Sequence, residues 1–172
     1  MDNQLDVPLG ILKLPVPLKE DYNRRQKLIE LIEKPLWTIT GKCAKDTLIP
    51  DLVSICKVNE QHQFIIFDAK YYNAHLEKGI VPTGQPGIES ITKQYLYQLA
   101  YQRFIEDHKF SSVKNCFLLP TENNEIEDKG EVRMEVLSNL GLQDIKIRLI
   151  PATMAYDLYL SGSKMDMERL DL

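Results

Sequence analysis

The chain has 172 residues, 44% hydrophobic and 27% charged, with a net charge of −4, an ordinary soluble composition long enough to close one core without disulfides. The acidic balance, with a pI near 5.4, excludes a protein that grips nucleic acid through a globally basic surface, because phosphate neutralisation supplies much of such affinity. No apolar run approaches the roughly 18 residues of a membrane span. The acidic start Met1-Asp2-Asn3-Gln4 is not the basic opening of a secretion signal; a cytoplasmic protein is expected.

Residues 1–19 carry Pro8, Pro15 and Pro17 among leucines, which predicts an extended arm lying on the surface. Residues 20–34 place Leu28, Leu31 and Ile32 on one helical face, with Pro35 as the stop, and predict a helix. Leu36-Trp37-Thr38-Ile39-Thr40 ahead of Gly41 suggests a strand. Strands follow at 49–57 and 63–70, and the polar turn Asn59-Glu60-Gln61-His62 between them favours an antiparallel hairpin. Pro82, Gly84, Pro86 and Gly87 mark 71–87 as a loop. A long helix is expected over 88–109, with Ile88, Ile91, Tyr95, Leu99 and residues 101–105 available to face the sheet. Strands at 113–119, 131–137 and 145–150 come next, then a helix at 152–160 and a frayed tail after Gly162. The sum is a single α/β domain, a mixed central sheet flanked by helices. Three scattered cysteines, Cys43, Cys56 and Cys116, read as buried free thiols in a reducing compartment rather than a zinc site. His62, His75 and His108 fall in polar or loop contexts and receive no role.

The most informative pattern is Pro50-Asp51 opening one apolar strand and Asp68-Ala69-Lys70 closing the next. Alternation along a strand sends Asp68 and Lys70 to one face and Ala69 to the other. If the strands are neighbours, Asp51 joins them. Two carboxylates with an adjacent lysine suit a hard cation and a proton-handling amine, the chemistry of metal-dependent phosphodiester hydrolysis. Spacing alone is not diagnostic: an acid two places before lysine recurs at Asp107-His108-Lys109, Glu127-Asp128-Lys129 and Asp144-Ile145-Lys146. Only the copy at Asp68 ends a buried-looking strand preceded by a Pro-Asp strand. The bland alternative is a strand end whose charges are solvated.

The stretch 46–54 with Phe67-Asp68-Ala69-Lys70-Tyr71-Tyr72 resembles the PD-(D/E)xK nuclease superfamily. Residues 85–101, including Gly87-Ile88-Glu89-Ser90-Ile91-Thr92-Lys93-Gln94, look like the helix after the active-site strand in LlaJI-type restriction endonucleases, with McrC-type nuclease subunits as looser cousins. Asn115-Cys116-Phe117-Leu118-Leu119-Pro120 fits the family's next strand, and the similarity spans about 36–160. The resemblance implies a restriction-endonuclease-like core and a Mg²⁺-dependent endonuclease (Mn²⁺ being an alternative) of a bacterial defence system. It also implies double-stranded DNA as substrate, a McrB-like GTP-hydrolysing partner and cognate methyltransferases. Asp51 and Asp68 become metal ligands with the Ala69 carbonyl, Lys70 the catalytic amine, and Gln94 or Gln98, one turn apart on the following helix, the family's glutamine. The superfamily's usual acidic residue on a preceding helix has only Glu30 and Glu33 as candidates here. Should that helix lie upstream of residue 1, the chain would be the later part of a longer protein. An incomplete nuclease fold serving assembly with the motor subunit is the competing reading. Tyr71, Tyr72, Tyr95, Tyr97 and Tyr101 either stack on bases or fill the space between sheet and helix. Lys42, Lys45, Lys78 and Lys93 are the candidates for phosphate contact.

Overall fold

The computed structural model describes all 172 residues, apart from the side chain of Ser138. A small hairpin pairs β1 (Leu36–Trp37) with β2 (Lys42–Cys43), and the frame is a five-stranded mixed sheet whose strands lie in the order Leu52–Val58, Gln61–Ala69, Ser112–Thr121, Ile145–Pro151, Glu127–Val132. β3 (Leu52–Val58) and β4 (Gln61–Ala69) form an antiparallel hairpin; β5 (Ser112–Thr121) and β7 (Ile145–Pro151) run parallel to β4; β6 (Glu127–Val132) closes the far edge antiparallel to β7. Only two residues, Asn59 and Glu60, turn the β3–β4 hairpin, both at positive φ (48° and 66°). That is the turn geometry whose twist matches the flanking strands.

Alternation along β4 divides the core. Phe64 and Ile66 face α1 (Ile88–Asp107) together with Val53, Ile55, Tyr97, Tyr101 and Phe104. Ile65 and Phe67 face the opposite layer with Cys116, Ile150 and Leu170, on the side of α2 (Ala152–Ser161). The buried stripe of α1 is Gln94, Tyr97, Gln98, Tyr101, Phe104 and Ile105, spaced as one helical face requires. Ile88 and Leu99, expected on that face, are exposed.

Several other expectations fail. Residues 20–34 form no α-helix; they hold one 3₁₀ turn, Leu28–Leu31. The N-terminal arm is the reason. Leu9 and Gly10 N–H donate to the Gln26 and Arg24 carbonyls, while Leu28 and Ile29 N–H donate to Val7 and Leu5. The two segments satisfy each other across the chain and bury Leu5, Leu9, Leu28 and Ile32 together, so the arm enters the core instead of lying on the surface. It also covers the free edge of β3. Gln4 N–H donates to the Val53 carbonyl, and the Gln4 side-chain amide both accepts from Ile55 N–H (3.1 Å) and donates to Ile55 O (3.3 Å). A side chain thus stands in for a neighbouring strand and blunts an edge otherwise open to pairing.

The tail after Gly162 is held, not frayed. Arg148, 2% exposed on β7, donates to the carbonyls of Leu170 (2.6 Å) and Asp171 (2.5 Å) and pairs with Asp128. A buried guanidinium needs several acceptors, and the folded-back tail supplies two. The strand expected at 131–137 lies instead at Glu127–Val132, with a register shift between Asp128 and Glu131, and 3₁₀ structure takes Glu135–Leu140. His108 is buried at the end of α1, with Nδ1 2.8 Å from Phe104 O and Nε2 accepting from Lys19 N–H. Of the cysteines, Cys116 is buried and Cys43 is exposed.

A paired-carboxylate site at the end of the hairpin

The register of β3 and β4 sets the site. Leu52 lies opposite Phe67, so Asp51, one residue earlier, meets Asp68. Directly opposed residues of an antiparallel pair share a face; both carboxylates therefore lie on the α1 side. Asp51 is exposed and has left the ladder, but its Oδ2 accepts the Ala69 N–H at 2.8 Å, tying the start of β3 to the end of β4. The N–H and C=O of a strand residue leave the same edge, so the Ala69 carbonyl is directed to the Asp51 side. Lys70 N–H, on the other edge, donates to Leu118 O on β5.

Asp68 is 3% exposed. Lys70 Nζ pairs with its Oδ2 at 2.7 Å, and no N–H or O–H of another residue donates to that buried oxygen. Burial, and after it the neighbouring Asp51 carboxyl, pushes the Asp68 pKa up to about 6; Lys70 opposes the shift. Two carboxylates share one lysine, which leaves a negative potential that a cation relieves. Among the described residues no three His, Cys, Asp or Glu side chains converge as a metal cluster. The available donors are two carboxylates and a carbonyl, an all-oxygen set suited to Mg²⁺, which keeps several waters of its own, and unsuited to a closed zinc site.

Behind the carboxylates α1 provides a buried polar seam. Gln94, wholly buried, donates to Ile66 O at 2.9 Å, two residues before Asp68, while its Oε1 has no hydrogen-bond partner. Gln98 lies one turn further from the carboxylates. Its Oε1 accepts from Asn115 Nδ2 (2.7 Å) and Gln143 N–H (2.9 Å), which commits it to joining α1, β5 and the loop before β7. Neither glutamine is on a solvated helix face. Tyr97, between them, was expected to stack on bases or fill the space between sheet and helix; it is buried, and its hydroxyl donates to Ile49 O at 2.9 Å, holding the segment that leads into Pro50-Asp51. Burial first, then the charges of Asp68 and Asp51, raises its pKa. Its position three residues after Gln94 was the available signal. Tyr95 and Tyr101 are core residues, whereas Tyr71, next to Lys70, is 94% exposed.

Glu30 and Glu33 take no place at the site as helical acids, since their helix does not form. Glu30 Oε2 accepts the Lys27 N–H at 2.7 Å, and the Glu33 carbonyl accepts from Thr47.

Comparison with known proteins gives the chain a family. The family model "LlaJI restriction endonuclease" matches residues 19–157, which include the hairpin, α1 and the remaining strands. The chain is also 29% identical over 158 residues to "Type II restriction enzyme BsuMI component YdjA" of Bacillus subtilis (strain 168), a match covering 88% of this chain and 32% of that protein. The chain thus spans about a third of that relative's length. No solved structure matches it.

Proposed function

Because the chain belongs to the LlaJI restriction endonuclease family, we propose that it carries the cleavage site of a bacterial restriction system and hydrolyses phosphodiester bonds of double-stranded DNA with Mg²⁺, or Mn²⁺ in its place. The observation that carries this reading is the pairing of Asp51 and Asp68 on one face beside Lys70, with Asp68 buried and its pKa raised. Asp51, Asp68 and the Ala69 carbonyl would hold the ion. Once bound, it supplies Lewis-acid polarisation of the scissile phosphate and a lower pKa for a coordinated water.

The other roles belong to the chain's own side chains. Lys70, 18% exposed at its side chain and anchored through its backbone to β5, brings an ammonium to where negative charge grows on the phosphoryl oxygens. Asp51 fixes the ends of two strands relative to one another through Ala69 N–H. Gln94 acts as a positioning residue, holding the β4 backbone ahead of Asp68; Gln98 sets β5 against α1 from behind.

The Bacillus relative is named as a component of a restriction enzyme. That supports a multi-subunit system, in which we place a McrB-like GTP-hydrolysing motor as partner, with methyltransferases protecting host DNA in the cytoplasm. A second reading, a nuclease fold kept for assembly, is favoured by one observation: among the described residues no third carboxylate converges on Asp51 and Asp68. The two part in one experiment. Mg²⁺-dependent cleavage of unmethylated duplex DNA by the assembled system, lost on Asp68→Asn, supports the nuclease. Unchanged cleavage in the variant refutes the assignment of this site.

A further inference from the structure

The short hairpin formed by β1 (Leu36–Trp37) and β2 (Lys42–Cys43) packs on nothing described above, and its composition is unlike the rest of the molecule. Leu36, Trp37 and Ile39 are 59%, 63% and 96% exposed. Residues 34–45 contain Lys34, Lys42 and Lys45 and no acid, in a chain whose net charge is −4. All three lysines are exposed, and among the described residues none is paired with a carboxylate.

The hairpin is a built element. Trp37 O accepts from Gly41 N–H (2.9 Å), Thr40 N–H (3.1 Å) and the Thr40 hydroxyl (3.0 Å). Gly41 takes the left-handed conformation (φ 64°) that closes the four-residue turn, where a glycine has no steric cost. At the base, Ala44 N–H donates to Pro35 O and the Thr47 hydroxyl to Glu33 O. The second leg runs from Lys45 to Asp51, and its Ile49 carbonyl is held by Tyr97. Six residues span at most about 22 Å, less than the roughly 34 Å of one DNA turn. A phosphate engaged by Lys45 thus lies on the same stretch of duplex as a phosphodiester at Asp51 and Asp68, and the Ala44–Pro35 hydrogen bond keeps Lys34 close to Lys45.

We propose that this hairpin is the duplex-DNA contact of the domain: Lys34, Lys42 and Lys45 bind backbone phosphates while Trp37 and Ile39 enter a groove. A two-stranded ribbon fits the major groove, where apolar side chains meet thymine methyl groups, and flanking cations meet the phosphates. Charge complementarity selects DNA as the occupant over another apolar protein face. The inference rests on the nuclease reading for its substrate, yet it can fail alone.

Trp37 is the only tryptophan in the chain, so its fluorescence reports this contact directly. Binding of a 30-base-pair duplex is followed in EDTA across a salt series, with DNA cleavage in Mg²⁺ measured in parallel. The expected result is quenching or a spectral shift of Trp37 on binding. The triple variant Lys34→Ala, Lys42→Ala, Lys45→Ala should reduce the slope of log K against log salt by about 2.7, at ~0.9 per phosphate contact. Trp37→Ala should weaken binding about tenfold, on the scale of losing one stacked aromatic, with the slope unchanged. All the substituted side chains are exposed, so melting temperatures should match wild type. Cleavage with a silent Trp37 and an unaltered slope overturns the hairpin proposal and leaves the nuclease standing. A Trp37 response to DNA without cleavage does the reverse. A Trp37 silent with DNA but shielded in the assembled restriction complex overturns the proposal in favour of a protein contact.

Discussion

Replacing Asp68 with asparagine should stabilise the metal-free protein at alkaline pH while removing its response to metal. Asp68 has a folded pKa pushed up to about 6 from the ordinary 3.8. The folded state therefore binds the proton more tightly than the unfolded state. The stability associated with that carboxyl is fully present below about pH 4 and is lost as pH rises through 6. At pH 8 the ionised form carries the whole penalty, which for a shift of roughly two units at about 1.36 kcal/mol each is near 3 kcal/mol. Asparagine keeps the shape without the charge, but its amide faces the Lys70 ammonium, so the net gain should be about 1–2 kcal/mol. For a domain of this size that is a melting temperature higher by roughly 2–8 °C. The assay is thermal unfolding of both proteins in EDTA at pH 4.5, 6 and 8. The advantage of the variant should grow with pH and nearly vanish at 4.5. Adding Mg²⁺ at tenfold its dissociation constant should then stabilise wild type by about 1.4 kcal/mol and leave the variant unchanged. A variant no more stable than wild type at pH 8, or one that gains equally from Mg²⁺, refutes the reasoning.

Lys70→Ala should reduce single-turnover cleavage by about 10²–10³, the scale of losing one transition-state donor, with Mn²⁺ affinity retained; undiminished cleavage removes Lys70 from the mechanism. Arg148→Met should cost about 2–4 kcal/mol by leaving the Leu170 and Asp171 carbonyls unanswered, and limited proteolysis should then cut after Gly162, where wild type resists. Gln4→Ala should raise amide exchange at Ile55 well above neighbouring β3 positions and promote self-association through the uncovered edge; equal exchange in both proteins would show that the arm does not seal β3.

The β3–β4 hairpin was legible because its signals are local. Alternating apolar residues run on both sides of a short polar turn, and that register alone brings Asp51 to Asp68. Helix α1 and the mixed α/β class were legible for the same reason. What escaped was set by contacts distant in sequence. Residues 20–34 have a helical hydrophobic spacing, but their backbone groups pair with those of residues 5–10 and their apolar side chains share a core with Leu5 and Leu9. Glu30 and Glu33 lost their assumed helical geometry with it. The tail gives no local sign that Arg148, more than 20 residues earlier, takes its carbonyls. Gln94 and Gln98 look like a polar face until the helix is laid on the sheet, where they become its buried seam. Tyr97 likewise shows its part only once Ile49 and the two aspartates are beside it.

The measurement that bears most directly on the central claim is the position of Mn²⁺ in crystals of this chain, located by its anomalous scattering. One peak is expected on the α1 face of the sheet, at about 2.0–2.3 Å from oxygens of both Asp51 and Asp68, adjacent to the Ala69 carbonyl and absent from Asp68→Asn crystals. A peak elsewhere, or one that survives the substitution, contradicts the assignment of these residues as the catalytic site.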